Sequence, residues 1–152
     1  MNKYKKLLPI VLFIGTVFAF YTVYNDFLRF YSYEGTYFKV RDCAVPNPVT
    51  TPCFYGAFAF LSAFIWSIID QKIRYLSYFL IGGAIFAWSS FGYELYSYFN
   101  AGGESYIGCS GIEISNPFTT PCFQGAVLFL ISMIVGLMRV KEAELPIEKG
   151  KL

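Results

Sequence analysis

Histidine is absent from the 152 residues of this chain. Its absence removes the commonest ligand of haem, catalytic zinc and copper, and the side chain that most often acts as a general base near neutral pH. Charge is scarce too, with Asp, Glu, Lys and Arg making up 14% of the sequence where soluble domains carry roughly a quarter. No C-x-x-C pair occurs, which argues against a zinc ribbon, and no metal is expected to be bound. Gly82-Gly83 and Gly102-Gly103 stand outside any phosphate-binding pattern, and the loops hold too little basic charge for nucleic acid.

In their place stand apolar and aromatic residues, at 56% hydrophobic and 21% aromatic. Such a composition suits a protein that meets both hydrocarbon and lipid headgroups, so the bilayer is the first expected partner. Four apolar runs follow, over 7–24, 52–69, 75–98 and 121–138, each long enough to cross a hydrocarbon layer of about 30 Å. The first is expected to remain as an uncleaved helix, because bulky Phe18-Ala19-Phe20 offers no small-x-small cleavage site. Pro9 lies in its first turn, where a missing N–H does least harm. The short turn 70–74 makes the second and third runs antiparallel neighbours.

Basic residues set the expected orientation. Lys3, Lys5, Lys6, Lys72, Arg74, Arg139, Lys141, Lys149 and Lys151 fall in the N-terminus, the middle turn and the C-terminus, the last comprising the close of the fourth run and the tail 141–152. The loop 25–51 has only Arg29, Lys39 and Arg41, and the loop 99–120 has none. The positive-inside rule then places both termini in the cytoplasm and both loops outside a plasma membrane. All four cysteines lie on the outer side, where disulfides persist.

The sequence also repeats itself. Asn47-Pro48-Val49-Thr50-Thr51-Pro52-Cys53-Phe54-Tyr55-Gly56-Ala57 returns 69 residues later as Asn116-Pro117-Phe118-Thr119-Thr120-Pro121-Cys122-Phe123-Gln124-Gly125-Ala126. Nine of the eleven positions are identical. Upstream, Phe18-Ala19 corresponds to Phe86-Ala87. The expected fold is therefore an all-α, four-transmembrane-helix bundle of two tandem helix–loop–helix repeats, over 1–74 and 75–140. Repeats of equal orientation are related by an axis along the membrane normal. Small-residue pairs at 59 and 63, 83 and 87, and 132 and 136 offer close helix contacts.

Within the motif, Thr51 and Thr120 suit N-caps, and Pro52 and Pro121 suit first helical positions. Cys53 and Cys122 then sit in a first helical turn, near unpaired N–H groups that favour a thiolate. Two readings of the cysteines follow. In the first, Cys43–Cys53 and Cys109–Cys122 are disulfides that staple the external loops, the prolines fix the chain path, and Gly56 and Gly125 let helices approach. In the second, the thiols are redox-active. Four cysteines allow three pairings, so connectivity stays open.

Four helices with cytoplasmic termini and two cysteines in each external loop form a topology that resembles the DsbB and vitamin K epoxide reductase group of membrane thiol oxidoreductases. That resemblance implies quinone as cofactor, Cys53 and Cys122 as attacking thiols, and Cys43 and Cys109 as their resolving partners. The chain departs from the group in lacking C-x-x-C. The leading expectation is a small membrane scaffold or interaction protein, needing no cofactor and joining a membrane-protein partner or a second copy. The alternative is a quinone-linked thiol–disulfide oxidoreductase. Glu94 is a candidate polar site if it lies inside the bundle, and a headgroup-level residue if it does not.

Overall fold

A computed structural model describes residues 3–69, 72–108 and 111–149. Four helices account for most of them: α1 (Lys3–Glu34), α2 (Pro52–Ile69), α3 (Ile73–Asn100) and α4 (Pro121–Lys149). Three are long and apolar enough to cross a membrane, through the stretches Tyr4–Glu34, Pro52–Ile69 and Pro121–Glu144. α3 falls short of that mark although it has 28 residues. Arg74, Glu94, three glycines, four serines and five tyrosines lie along it and dilute its leucine, isoleucine and phenylalanine.

α1 runs ten residues beyond position 24, since no glycine or proline interrupts it before Gly35. Gly35 adopts φ +69°, and its N–H donates to the Tyr31 carbonyl at 2.8 Å, the left-handed closure that glycine permits at a helix end. At ~1.5 Å per residue α1 is about 48 Å long. Its last turns therefore bring Asp26 and Phe30 into the packed bundle, where both are buried. α3 starts from Lys72 in the left-handed region.

α1 packs along α2 and α3 along α4. The two pairs join through α1 with α4 and, less extensively, α2 with α3, while α2 and α4 meet sparsely across the diagonal. Leu8, Leu12, Phe60, Ala63, Leu76, Leu80 and Phe129 form the centre. Most of the outer surface is apolar, with Ile10, Phe13, Ile14, Ile68, Ile85 and Leu137 among the exposed side chains. An outward-facing hydrocarbon surface of this kind is what a lipid solvent tolerates.

Close helix contacts occur at particular small residues. A β-carbon on Gly15 would stand 2.4 Å from the Phe60 ring, and one on Gly83 would stand 2.6 Å from the Phe129 ring. Gly136 similarly faces Leu80, at 2.9 Å, and Ala63 and Ser132 are wholly buried. Gly83, Ser132 and Gly136 thus occupy tight positions as their spacing suggests.

The loops hold little regular structure. Strands β1 (Tyr106–Ile107) and β2 (Glu113–Ile114) pair antiparallel, Tyr106 opposite Ile114. Gly111, at φ +73°, lies so close to Val45 and Pro46 that a β-carbon would come within 2.8 Å of the proline ring, which docks the second loop on the first. Glu34 ties the first loop to the end of α1 by accepting from Lys39 and from the Ala44 N–H. That carboxylate holds the Lys39 ammonium above its usual range.

Candidate functional site

Each copy of the repeated motif folds into the same hydrogen-bonded turn. Asn47 caps a 3₁₀ turn, Pro48–Thr50, by accepting from the Val49 N–H at 3.0 Å, and Asn116 caps Pro117–Thr119 by accepting from the Phe118 N–H at 3.0 Å. The Thr50 and Thr119 hydroxyls donate to the carbonyls of those asparagines, at 2.7 and 2.8 Å. The Thr51 and Thr120 hydroxyls donate to the Pro48 and Pro117 carbonyls, at 2.7 and 2.8 Å. The prolines supply no N–H that would need a partner, so the turn is well satisfied even where it is buried. The sequence reading left the asparagines without a role. Their signal was the Asn-Pro pair, a turn initiator with a capping side chain.

The two turns deliver α2 and α4 so that Cys53 and Cys122 enter one cleft. It has a volume of about 50 Å³, room for a few water-sized groups, and apolar walls. α1 and α3 contribute Phe18, Ala19 and Thr22 on one side and Phe86, Ala87 and Ser90 on the other. α2 and α4 contribute Pro52, Cys53, Gly56 and Phe60, and Pro121, Cys122, Gly125 and Phe129. Every residue in the first set of each pair lies 68 or 69 positions before its counterpart.

Phe60 and Phe129 form the inner limit of this cleft. Their rings stack with centroids 3.9 Å apart and planes at 29°, and each presses on the glycine of the helix that precedes its own, Gly15 or Gly83. These phenylalanines also went unnoticed in the sequence, where they resemble any other apolar residue of a span. Their 69-residue separation was the signal available.

Gly56 and Gly125 have a different part from the one expected. A β-carbon at either would meet nothing within 4 Å, so neither permits a helix to approach. Both instead hold open the wall of the cleft.

The cysteines are distributed unequally. Cys43 and Cys53 carry free thiols, and that of Cys43 donates to the Lys39 carbonyl at 3.5 Å. The bridge expected between those two is thus unmade in this structure. Cys109 lies outside the described residues, and with it the bridge expected to Cys122. No group of three or more metal-ligating side chains is present among the described residues.

Two buried carboxyl groups follow cleft-lining residues by one helical turn, Asp26 after Thr22 on α1 and Glu94 after Ser90 on α3, and neither lines the cleft itself. Glu94, on α3, is 2% exposed, and its Oε2 lies 2.8 Å from the Thr120 hydroxyl, whose one proton is shared between this carboxyl group and the Pro117 carbonyl, immediately before cleft-lining Pro121. It lies inside the bundle, the case in which the sequence made it a functional candidate. Asp26, on α1, is 6% exposed and accepts from the Arg29 guanidinium at 3.1 Å. Asp26 stands 68 residues before Glu94. No family model, no curated protein and no solved structure matches this chain.

Proposed function

We propose that this chain is a four-span plasma-membrane protein, built by duplication of one helix–loop–helix unit, whose two copies jointly hold an apolar molecule dissolved in the bilayer. The matched lining of the cleft carries this reading. A space required only for packing would be closed by β-carbons at Gly56 and Gly125, which would meet no neighbour and would favour the helix by roughly 1 kcal/mol each. Openness at both equivalent positions, against that preference, points to use of the space.

The distribution of Lys5, Lys6, Lys72, Arg74, Arg139 and Lys141 supports cytoplasmic termini and external loops. In this setting the docked loops offer a membrane-protein partner or a second copy its recognition surface, which makes the protein a ligand-bearing scaffold. The doubly substituted variant Gly56→Leu/Gly125→Leu tests the central claim. It should fold with unchanged or raised stability and lose at least about tenfold in uptake of an apolar fluorescent probe, since either side chain fills the space. Unchanged uptake by the folded variant would refute a ligand site in the cleft.

A second reading is favoured by the thiols themselves. Cys53 is a free thiol in the cleft wall, and Cys122 lies in the same wall. A quinone held there would oxidise two thiols to one disulfide, taking two electrons and two protons to become the hydroquinone. Cys43 and Cys109 are the resolving partners on that scheme. Adding a short-chain quinone to the reduced protein should remove two titratable thiols for each hydroquinone formed. A full thiol count after prolonged incubation would dispose of the redox reading and leave the binding reading intact.

A further inference from the structure

The two cysteines of the cleft are turned toward each other by the helices that carry them. Cys53, Gly56 and Phe60 follow at intervals of three and four along one face of α2, and Cys122, Gly125 and Phe129 do the same on α4. Phe60 and Phe129 meet ring on ring at 3.9 Å, so the two faces oppose one another. The helices bring Cα atoms within 8 Å of each other, and a β-carbon at either glycine would meet nothing within 4 Å. The space left between the faces is the cleft. Cys53 and Cys122 stand about 10 Å along each helix from the stacked rings, and both line that space. Cys43 does not line it, and its thiol donates to the Lys39 and Arg41 carbonyls of its own loop.

We propose that Cys53 and Cys122 together bind one soft monovalent cation, Cu(I) or Ag(I), held in line between their sulfurs across the cleft. Thiolate sulfur selects such ions, and two sulfurs complete the linear shell that they accept. Each thiol gives its proton to solvent and its sulfur gives an electron pair to the cation, so nothing is oxidised or reduced. The two thiolates and the cation then carry a single negative charge. Cys53 and Cys122 are the second residues of α2 and α4, and each helix start presents a charge of about +0.5 to an anion there. The two starts together match the charge of the complex. Harder ions find little in the lining, where the Thr22 and Ser90 hydroxyls donate to the Phe18 and Phe86 carbonyls and no described carboxylate enters. Calcium and magnesium need several oxygens, and structural zinc needs four ligands. The expectation of no metal came from the lack of histidine and C-x-x-C, and spacing along the chain does not reveal that two cysteines 69 residues apart share one cleft. The assignment asks only for the two sulfurs and holds whether or not an apolar molecule uses the same space.

Titration of the full, reduced chain in lipid nanodiscs with Cu(I), in competition with bicinchoninate and without oxygen, tests the assignment. The chain should withdraw one Cu(I) from the competitor, and X-ray absorption should show a first shell of two sulfurs and no other donor. Cys53→Ser and Cys122→Ser should each weaken binding at least about a hundredfold, since loss of a supporting residue alone costs 10–100-fold at metal sites. The double variant Cys43→Ser/Cys109→Ser should bind within about twofold of the unaltered chain, as expected of residues that take no part. Bound Cu(I) should also protect Cys53 and Cys122 from N-ethylmaleimide, read peptide by peptide, while Cys43 stays reactive. Failure to withdraw Cu(I), a third sulfur in the shell, or equal protection of Cys43 would overturn the assignment. So would loss of binding in Cys43→Ser/Cys109→Ser with retention in Cys53→Ser. The sulfur count and the protection pattern are read on the unaltered chain, so they decide the matter even if a variant fails to fold.

Discussion

Phe129→Ala should destabilise the bundle by about 2–4 kcal/mol and at the same time enlarge the cleft. The ring is 3% exposed and stacks on Phe60, which is 1% exposed, so its removal strips contacts from three helices at once. In a bilayer the transfer part of this cost is small, because lipid tails are as apolar as the protein interior. What is lost is dispersion with close neighbours and the stacking of two rings. The figure therefore lies toward the lower part of the range for phenylalanine truncations in soluble cores.

The space vacated by Phe129 is continuous with the cleft, since both rings line it. Uptake of an apolar fluorescent probe should therefore rise while resistance to denaturing detergent falls. Phe60→Ala should behave alike, and the double variant should fall short of the sum by about 0.5–1.5 kcal/mol, because each single change already breaks the stack. Strict additivity would show that the contact itself contributes nothing. A fall in uptake would show that the cleft collapses when its inner limit is removed.

These rings mark the boundary of what the sequence made legible. Helices could be placed because apolar runs and flanking lysines and arginines are local signals, and α2, from Pro52 to Ile69, matches its expected limits. The end of α1 was less legible, since tyrosines, Asn25, Asp26 and Arg29 look like loop residues although none of them stops a helix. α3 illustrates the opposite difficulty. Its aromatic and small residues form a long helix while lowering the mean hydropathy on which recognition of a span depends.

The candidate site was legible only through the repetition. Cys53, Cys122, Gly56 and Gly125 could be singled out because they recur, but whether they face a neighbour or an open space depends on how four helices meet. That information is not local. Burial of Glu94 has the same character, because it arises from a turn, Pro117–Thr119, that arrives from a distant part of the chain. Asp26 and Arg29 could be noticed as neighbours, yet the unsatisfied oxygen of Asp26 belongs to the packed bundle alone.

Divergence between the two copies leads to the remaining large effect, a difference between equivalent threonines. Thr51→Val should cost about 0.5–1.5 kcal/mol, whereas Thr120→Val should cost about 2–3 kcal/mol. Both hydroxyls donate to a proline carbonyl three residues back, at 2.7 Å for Thr51 and 2.8 Å for Thr120. Among the described residues only the Thr120 hydroxyl also meets a carboxyl group, its one proton shared between the Pro117 carbonyl and Glu94 Oε2 at 2.8 Å, and it accepts from the Phe123 N–H at 3.3 Å in the first turn of α4. Valine keeps nearly the same shape in each case, so cavity formation does not separate the two variants. The difference comes from depriving a carboxyl group that is 2% exposed of a donor. Bonds to charged groups are worth more than those between neutral ones, and solvent cannot replace the missing donor at that depth.

Detergent-unfolding midpoints of the two variants, measured side by side, should therefore differ in the stated order. Glu94→Gln should recover part of the Thr120→Val loss, because a neutral amide is less costly than a carboxylate to leave with fewer donors. Equal losses at Thr51 and Thr120 would mean that Glu94 draws nothing from the contact. Its burial would then serve only to fill space between α3 and the approach to α4, and the two copies would be equivalent in energy as well as in sequence.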